Sequence, residues 1–266
     1  MVPRISLKNV SIEFPIYEVG ARSLRHTFFI NRIKAVKQAF SERQIGGLIG
    51  KNDQGLTIIR ALSNIGLELQ GGDRVGLVGH NGSGKTTLLR VLSGIYEPTD
   101  GTISIHGTVM PLFNITDGMD PDATGMELIR VRGYLLGLTS GEIADITDDV
   151  IQFCELGKFM DLPIRTYSAG MFVRLAFAIT TAVTSNILLM DEVIGTGDAA
   201  FIERVEMRLR SFIDRAGILV VASHSPEIIR KWCNKALLLE HGRIVMLGNV
   251  ESVLNRYQSL QQREGE

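Results

Sequence analysis

Cysteine is almost missing from this chain. Cys154 and Cys233 are the two that occur in 266 residues, far apart and in no CxxC spacing. They offer neither a disulfide framework nor a zinc knuckle, so reduced thiols in a reducing compartment are the expectation. Long apolar runs are missing too. No window reaches eighteen uninterrupted apolar residues, so no transmembrane helix is predicted. The opening MVPRISLKNV is no charged leader with an apolar run behind it, and no secretory signal is expected. Neither sign of charge dominates. With 28 Lys and Arg against 29 Asp and Glu, the net charge of −1 gives no reason to expect nucleic acid as a partner. Internal repeats and low-complexity tracts are absent from the sequence as well.

What is present has an ordered alternation. A short strand is expected at 10–14, then a β-like stretch at 56–69, a GGD turn at 71–73 and a buried strand at 74–78. A helix is expected from 85 to about 93, then a turn and strand within EPTDGTISIHG at 97–107. Helical patterns follow near 125–136, 141–156 and 169–184, then at 199–215 and 225–233. ILLMD (187–191), ILVVAS (218–223) and ALLLEHG (236–242) read as continuous apolar strands. Such strands alternating with helices predict an α/β fold around a parallel sheet covered on both faces. The stretch 108–184 carries helices without strands of this kind, so it reads as an inserted helical lobe, narrowed to about 115–184 as a subdomain. A single domain is expected overall, with a C-terminal helix and tail at 250–266.

Between 21 and 43 the composition shifts. Arg22, Arg25, Arg32, Lys34, Lys37 and Arg43 face one acid, Glu42, while Phe29, Ile33, Val36 and Phe40 recur at three- and four-residue steps. That pattern predicts a basic amphipathic helix within an insertion at 20–45.

GHNGSGKT (79–86) has the form G-x-x-x-x-G-K-[ST], with a strand before it and a helix after it. Glycines let backbone N–H groups curl around a phosphate, and the helix N-terminus adds a favourable field. Gly79, His80, Asn81, Gly82, Ser83, Gly84, Lys85, Thr86 and Thr87 are the candidate phosphate-binding residues. Lys85 would reach the β- and γ-phosphates, and the Thr86 hydroxyl would coordinate Mg²⁺. ILLMDE (187–192) delivers Asp191 at the end of a buried strand, where it would hold Mg²⁺ directly or through water. Glu192 follows as a carboxylate able to accept a proton from an attacking water. VVASHS (220–225) ends a further strand with His224, a candidate donor to the γ-phosphate. A guanine nucleotide is disfavoured, because NKAL (234–237) has Leu237 where a base-reading Asp would stand.

A second Ser-and-Gly turn, YSAGM (167–171), opens an apolar helix. GHNGSGKTT, YSAGM, ILLMDE and VVASHS, in this order, resemble the nucleotide-binding subunit of ATP-binding-cassette (ABC) transporters. The resemblance runs from 10 to about 248. It implies a P-loop NTPase, RecA-like core with an antiparallel β subdomain and an inserted α-helical subdomain. It also implies ATP hydrolysis with Mg²⁺, with Glu192, His224, Lys85 and Asp191 as the catalytic set. In the family the signature turn is presented to the ATP of a second, head-to-tail copy. Ser168 and Gly170 would play that part here, although Tyr167, Ala169 and Met171 depart from the usual LSGGQ. Asp198 falls in the segment that contacts the opposite subunit. Asn114 falls where other members carry a metal-linking Gln, and is one methylene shorter. Phe14 matches the position of the aromatic that stacks on adenine, with Tyr17 as the alternative.

YSAGMFVRLAFAI (167–179), DEVIGTGDAAF (191–201) and DGMDPDATGMELI (117–129) are similar to stretches found in the members that export bacterial surface polysaccharides. The resemblance therefore implies an integral membrane permease as partner and a peripheral location on the cytoplasmic face of the inner membrane. Another exporter, of lipid or drug, and a non-transport regulator acting through a membrane partner remain open. The basic helix at 21–43 is expected beside the permease or anionic lipid headgroups. Replacing Arg22, Arg25 and Arg32 by glutamine is expected to lower export while sparing the ATPase activity of the isolated chain. Unchanged export in cells carrying that variant would contradict the assignment.

Overall fold

The computed structural model describes residues 2–16, 48–51, 57–191 and 199–264. The basic segment at 21–43, Tyr17, Glu192 and Asp198 lie outside the described residues. The strands are β1 (Arg4–Pro15), β2 (Leu48–Lys51), β3 (Thr57–Gln70), β4 (Arg74–Val78) and β5 (Asp100–His106), then β6 (Val109–Leu112), β7 (Ile187–Asp191), β8 (Ile218–Ala222), β9 (Lys235–Glu240) and β10 (Arg243–Gly248). The helices are α1 (Lys85–Leu92), α2 (Gly125–Leu135), α3 (Ser140–Cys154), α4 (Ala169–Ala182), α5 (Ala199–Arg215), α6 (Pro226–Trp232) and α7 (Val250–Glu264). None of the helices among the described residues is long and apolar enough to cross a membrane. The chain divides into two compact units, one of Met1–His106 with Val220–Glu266, the other Gly107–Leu219.

In the first unit β2, β3, β1 and β5 form an antiparallel sheet in that order. β1 buries Ile5 and Leu7, then Val10 and Ile12, so its alternation slips by one residue in the middle. A bulge supplies the slip: Asn9 sits at φ 51° and the register with β3 shifts between Leu7 and Val10. Opposite it, Asn64 at φ 53° donates its N–H to Ser11 Oγ at 3.0 Å. Asparagine tolerates this left-handed backbone, and the two bulges keep both apolar sets on one face. The same unit pairs β4 parallel to β9 and β10 antiparallel to β9. Val75, Leu77 and Val78 of β4 are buried, as are the four central residues of β9, as expected for strands enclosed on two sides.

The second unit pairs β6 parallel to β7 and surrounds a core of its own, in which Leu128, Ile143, Val150, Met160, Leu175 and Ile179 meet. Its helices start where the sequence carries caps. Thr124 with Glu127 and Thr139 with Glu142 each form a reciprocal capping box ahead of α2 and α3. α5 is fixed to its neighbours by arginines. Arg208 donates to Thr181 Oγ1 at 2.7 Å and to Asp149 Oδ1 at 3.0 Å while its guanidinium lies 4.5 Å from the Phe153 ring centre. Arg204 covers the same ring at 5.3 Å and bonds the Phe153 carbonyl and Glu155.

Four elements extend the sequence reading, one of them β2, whose four residues lie in a stretch, 46–55, that reads as a loop. β1 begins at Arg4 rather than at 10, because the bulge at Asn9 hides its period. β6 lies inside the stretch read as strand-free, and β10 had no place in the reading.

Both cysteines are free. Burial pushes the Cys233 thiol up to about 12 and raises Cys154 as well. A raised thiol pKa leaves almost no thiolate near neutrality, and thiolate is the reactive form. Iodoacetamide at pH 8 is therefore expected to modify neither residue in the native chain and both after denaturation. Mass spectrometry showing rapid native labelling would contradict this burial.

Candidate nucleotide site

The buried strand β4 ends at Val78 and the chain turns at once through 79–84 into α1. Lys85 is 8% exposed, and its Nζ donates to the carbonyls of Gly79 at 2.7 Å and His80 at 3.0 Å. Ser83 is fully buried and its Oγ has no protein partner. Gly84, at φ 110°, is the N-cap of α1, which has no side-chain cap and no acid in its first turn. A Cβ at Gly84 would stand 2.9 Å from Leu62 and 3.0 Å from the Ala61 carbonyl, so the turn admits glycine alone. By contrast α2, α3, α4 and α6 are capped by Thr124, Thr139, Ser168 and Ser225. Uncapped amides, a buried ammonium and an unpaired hydroxyl fit a phosphate chain. Asn81, Gly82 and Thr86 are exposed at the loop, and Thr87 is half-buried.

In the same unit His224 is exposed two residues past the end of β8. It is presented on a turn in which Ser223 Oγ accepts from the Ser225 N–H at 3.1 Å, and Ser225 Oγ then caps α6. Phe14 is half-buried near the end of β1, its ring edge-on to Tyr96 at 5.2 Å. Tyr96 in turn accepts from Arg90 at 3.0 Å. The sequence reading did not single out Tyr96, and nothing in its local pattern sets it apart from an ordinary surface aromatic.

In the second unit, β7 buries Ile187, Leu188, Leu189 and Met190 and ends on half-buried Asp191. Leu112 of β6 lies opposite Met190, so the strands end together, with Asn114 two residues beyond one and Asp191 closing the other. Asn114 sits at φ 55°, and its carbonyl accepts from the Asp117 N–H at 3.0 Å. Arg132 of α2 clamps this turn, donating to the carbonyls of Ile115 at 2.6 Å and Asp117 at 2.8 Å. The described residues contain no group of three or more His, Cys, Asp and Glu able to hold a metal ion. Asp191, half-buried at the end of β7, is a carboxylate oxygen donor of the kind that Mg²⁺ takes alongside phosphate and water.

Ser168 is exposed and caps α4, its Oγ accepting from the Met171 N–H at 3.2 Å. Gly170 lies in the first turn, where a Cβ would meet only Ser168 Oγ, at 4.0 Å. Tyr167, one of the departures from LSGGQ, donates its hydroxyl to the Phe159 carbonyl at 2.6 Å and lies edge-on to that ring. Partial burial raises its pKa, which keeps the proton on the oxygen that donates. The tyrosine thus fixes the turn to the 3₁₀ segment Gly157–Asp161.

Comparison with known proteins defines the class. The ABC transporter family pattern matches residues 62–195. An ATP-binding cassette solved as a dimer with ADP and Pi shares the fold at TM-score 0.64 and 19% identity, over 92% of this chain and 98% of that one. The ATP-binding subunit of another ABC transporter gives 0.66 at 17% identity, over 96% and 93%. The chain belongs to the ABC transporter family and is an ATP-binding, ATP-hydrolysing member of it. It is 44% identical to the O-antigen export system ATP-binding protein RfbE of Yersinia enterocolitica, over 89% of this chain and 94% of that one. Identity to RfbB of Myxococcus xanthus is 36%, over 85% of this chain and 54% of that protein. The teichoic acids export protein TagH of Lactococcus lactis is 32% identical, over 90% and 51%. The chain thus spans about half the length of these last two.

If Lys85 holds the phosphates, Lys85→Met removes a charge-assisted bond worth about 1.5–3 kcal/mol, and ADP affinity should fall by about tenfold or more. Calorimetric titration checks this. Undiminished affinity would remove Lys85 from the site.

Proposed function

We propose that the chain is the ATPase subunit of an exporter that carries a lipid-linked cell-surface polysaccharide across the bacterial inner membrane. The observation that carries the reading is the coincidence of the 79–87 loop geometry with 44% identity to an O-antigen export protein along almost the whole chain. Lys85 and the amides at the start of α1 bind the β- and γ-phosphates. Thr86 and Asp191, with Asn114 as a further candidate, would hold Mg²⁺, which when bound would neutralise phosphate charge. Glu192 polarises the attacking water, and His224 donates to the γ-phosphate. Phe14 or Tyr17 stacks on adenine.

Ser168 and Gly170 of a second copy complete the site from the other side, and Asp198 lies at that contact. ATP then closes two chains head to tail, and hydrolysis reopens them. An integral membrane permease takes up this motion, and the ATPase works as a peripheral subunit on the cytoplasmic face. Support for the partner comes from the names of the relatives, which are export-system components.

Two experiments separate the ATPase mechanism from the cargo. Glu192→Gln should bind ATP, persist as a closed dimer in size-exclusion chromatography and lose turnover. Ordinary turnover would refute Glu192 as the base. In the native host, a chromosomal Lys85→Met should remove surface polysaccharide and accumulate the lipid-linked polymer inside. Unaltered surface polymer would point to a different cargo.

A further inference from the structure

His241 and Gly242 join β9 to β10 with Glu240 and Arg243 paired across the turn. Both central residues have positive φ, 47° and 74°, which makes a type I′ hairpin. Asn-Gly is the pair that such a turn prefers. A histidine held there is under backbone strain, and strain of this kind persists where the surroundings require it.

The surroundings are the phosphate loop. The Gly242 N–H donates to the Ser83 carbonyl at 2.9 Å, and its carbonyl accepts from the Ser63 N–H at 2.8 Å. A Cβ at Gly242 would stand 2.5 Å from the Ala61 carbonyl, so the contact needs glycine. The His241 ring lies 5.0 Å from the His80 ring at a tilt of 54°. His80 Nδ1 sits 2.8 Å from the Asn81 carbonyl, which can only accept, so the proton is on Nδ1. His80 Nε2 and His241 Nδ1 are both buried with no protein partner. Burying two unpaired ring nitrogens is unfavourable for stability by itself. The His80 carbonyl, meanwhile, is one of the two that hold the Lys85 ammonium.

We propose that this hairpin is a positioning element of the nucleotide site. His241 acts through His80 on Lys85, and Gly242 acts through Ser83 on the start of α1. Their effect falls on nucleotide affinity rather than on fold stability. The inference rests on the reading of 79–87 as the nucleotide loop. Its physical basis is preorganisation: a loop of glycines has many conformations, and amides converge on a phosphate only when something outside the loop restricts it.

The test uses two substitutions that move stability and affinity in opposite directions. His241→Asn suits the left-handed turn and removes the ring. It should leave the nucleotide-free Tm unchanged or raised, and weaken ADP binding about threefold to tenfold, the scale of one aromatic contact. His241→Phe keeps a ring in a strained backbone, so it should lower Tm and retain near-native ADP affinity. Native affinity in His241→Asn would overturn the proposal, as would equal loss of affinity in both variants. Gly242→Ala should also weaken ADP binding. Gly137→Ala, at φ 83° with open space around it, controls for backbone strain alone. Equal ADP affinity in these two would remove Gly242 from the mechanism. Lys85→Met separates the two levels. If that variant binds ADP normally, the loop assignment itself fails; if it loses ADP while His241→Asn does not, the hairpin inference alone fails.

Discussion

Lys85 places a cation where less than a tenth of its surface meets water, 2.7 Å from the Gly79 carbonyl. An ammonium is stable there because oxygen acceptors replace its water, and these acceptors belong to the loop that the lysine closes. That constraint propagates outward. The loop must turn sharply off β4, so Gly84 takes a backbone angle that no other residue would hold next to Ala61 and Leu62. β4 must be immobile, which its burial and its pairing with β9 provide. The first turn of α1 carries neither a side-chain cap nor an acid, which leaves its amides open. The loop is thus the sum of several local choices that each lower stability slightly and agree in direction.

In the second unit the described candidate residues stand at or near the ends of helices and strands rather than in a loop of their own. Ser168 sits at the tip of α4, and α5 begins just after the segment that carries Glu192 and Asp198. The two helices are locked by the guanidiniums of Arg204 and Arg208 on Phe153 and by the Arg208 bond to Thr181. Cations over aromatic faces and bidentate carboxylate contacts lose geometry quickly when helices slide. Within this unit, then, the turn at Ser168 and the start of α5 are held at a fixed distance from each other.

The turn at 79–84 and the start of α1 were legible because glycines, one lysine and a hydroxyl recur there at a fixed spacing between a strand and a helix. The buried strands β4, β7, β8 and β9 and the helices α2 to α6 were legible through period and apolar continuity. β1 was half legible, since a bulge at Asn9 resets its alternation and makes the first five residues look like loop. β6 is four residues long and contains Pro111, a residue that argues against a strand, and β10 is only half-buried. Supporting contacts left no trace. Tyr96 against Phe14, Arg132 over the Asn114 turn and His241 beside His80 bring together positions far apart in sequence, which no local period marks. The capping boxes at Thr124 and Thr139 are the opposite case: their T-x-x-E spacing was readable, and would have fixed the starts of α2 and α3 to the residue.

Tyr167 has a mechanical consequence. Its hydroxyl is tied to the main chain at Phe159, and the Phe159 ring is 44% exposed. Ser168 is the very next residue, so the main chain at Phe159 anchors the serine through one oriented bond. A leucine in this place would hold the turn by apolar contact alone, which has no direction of its own.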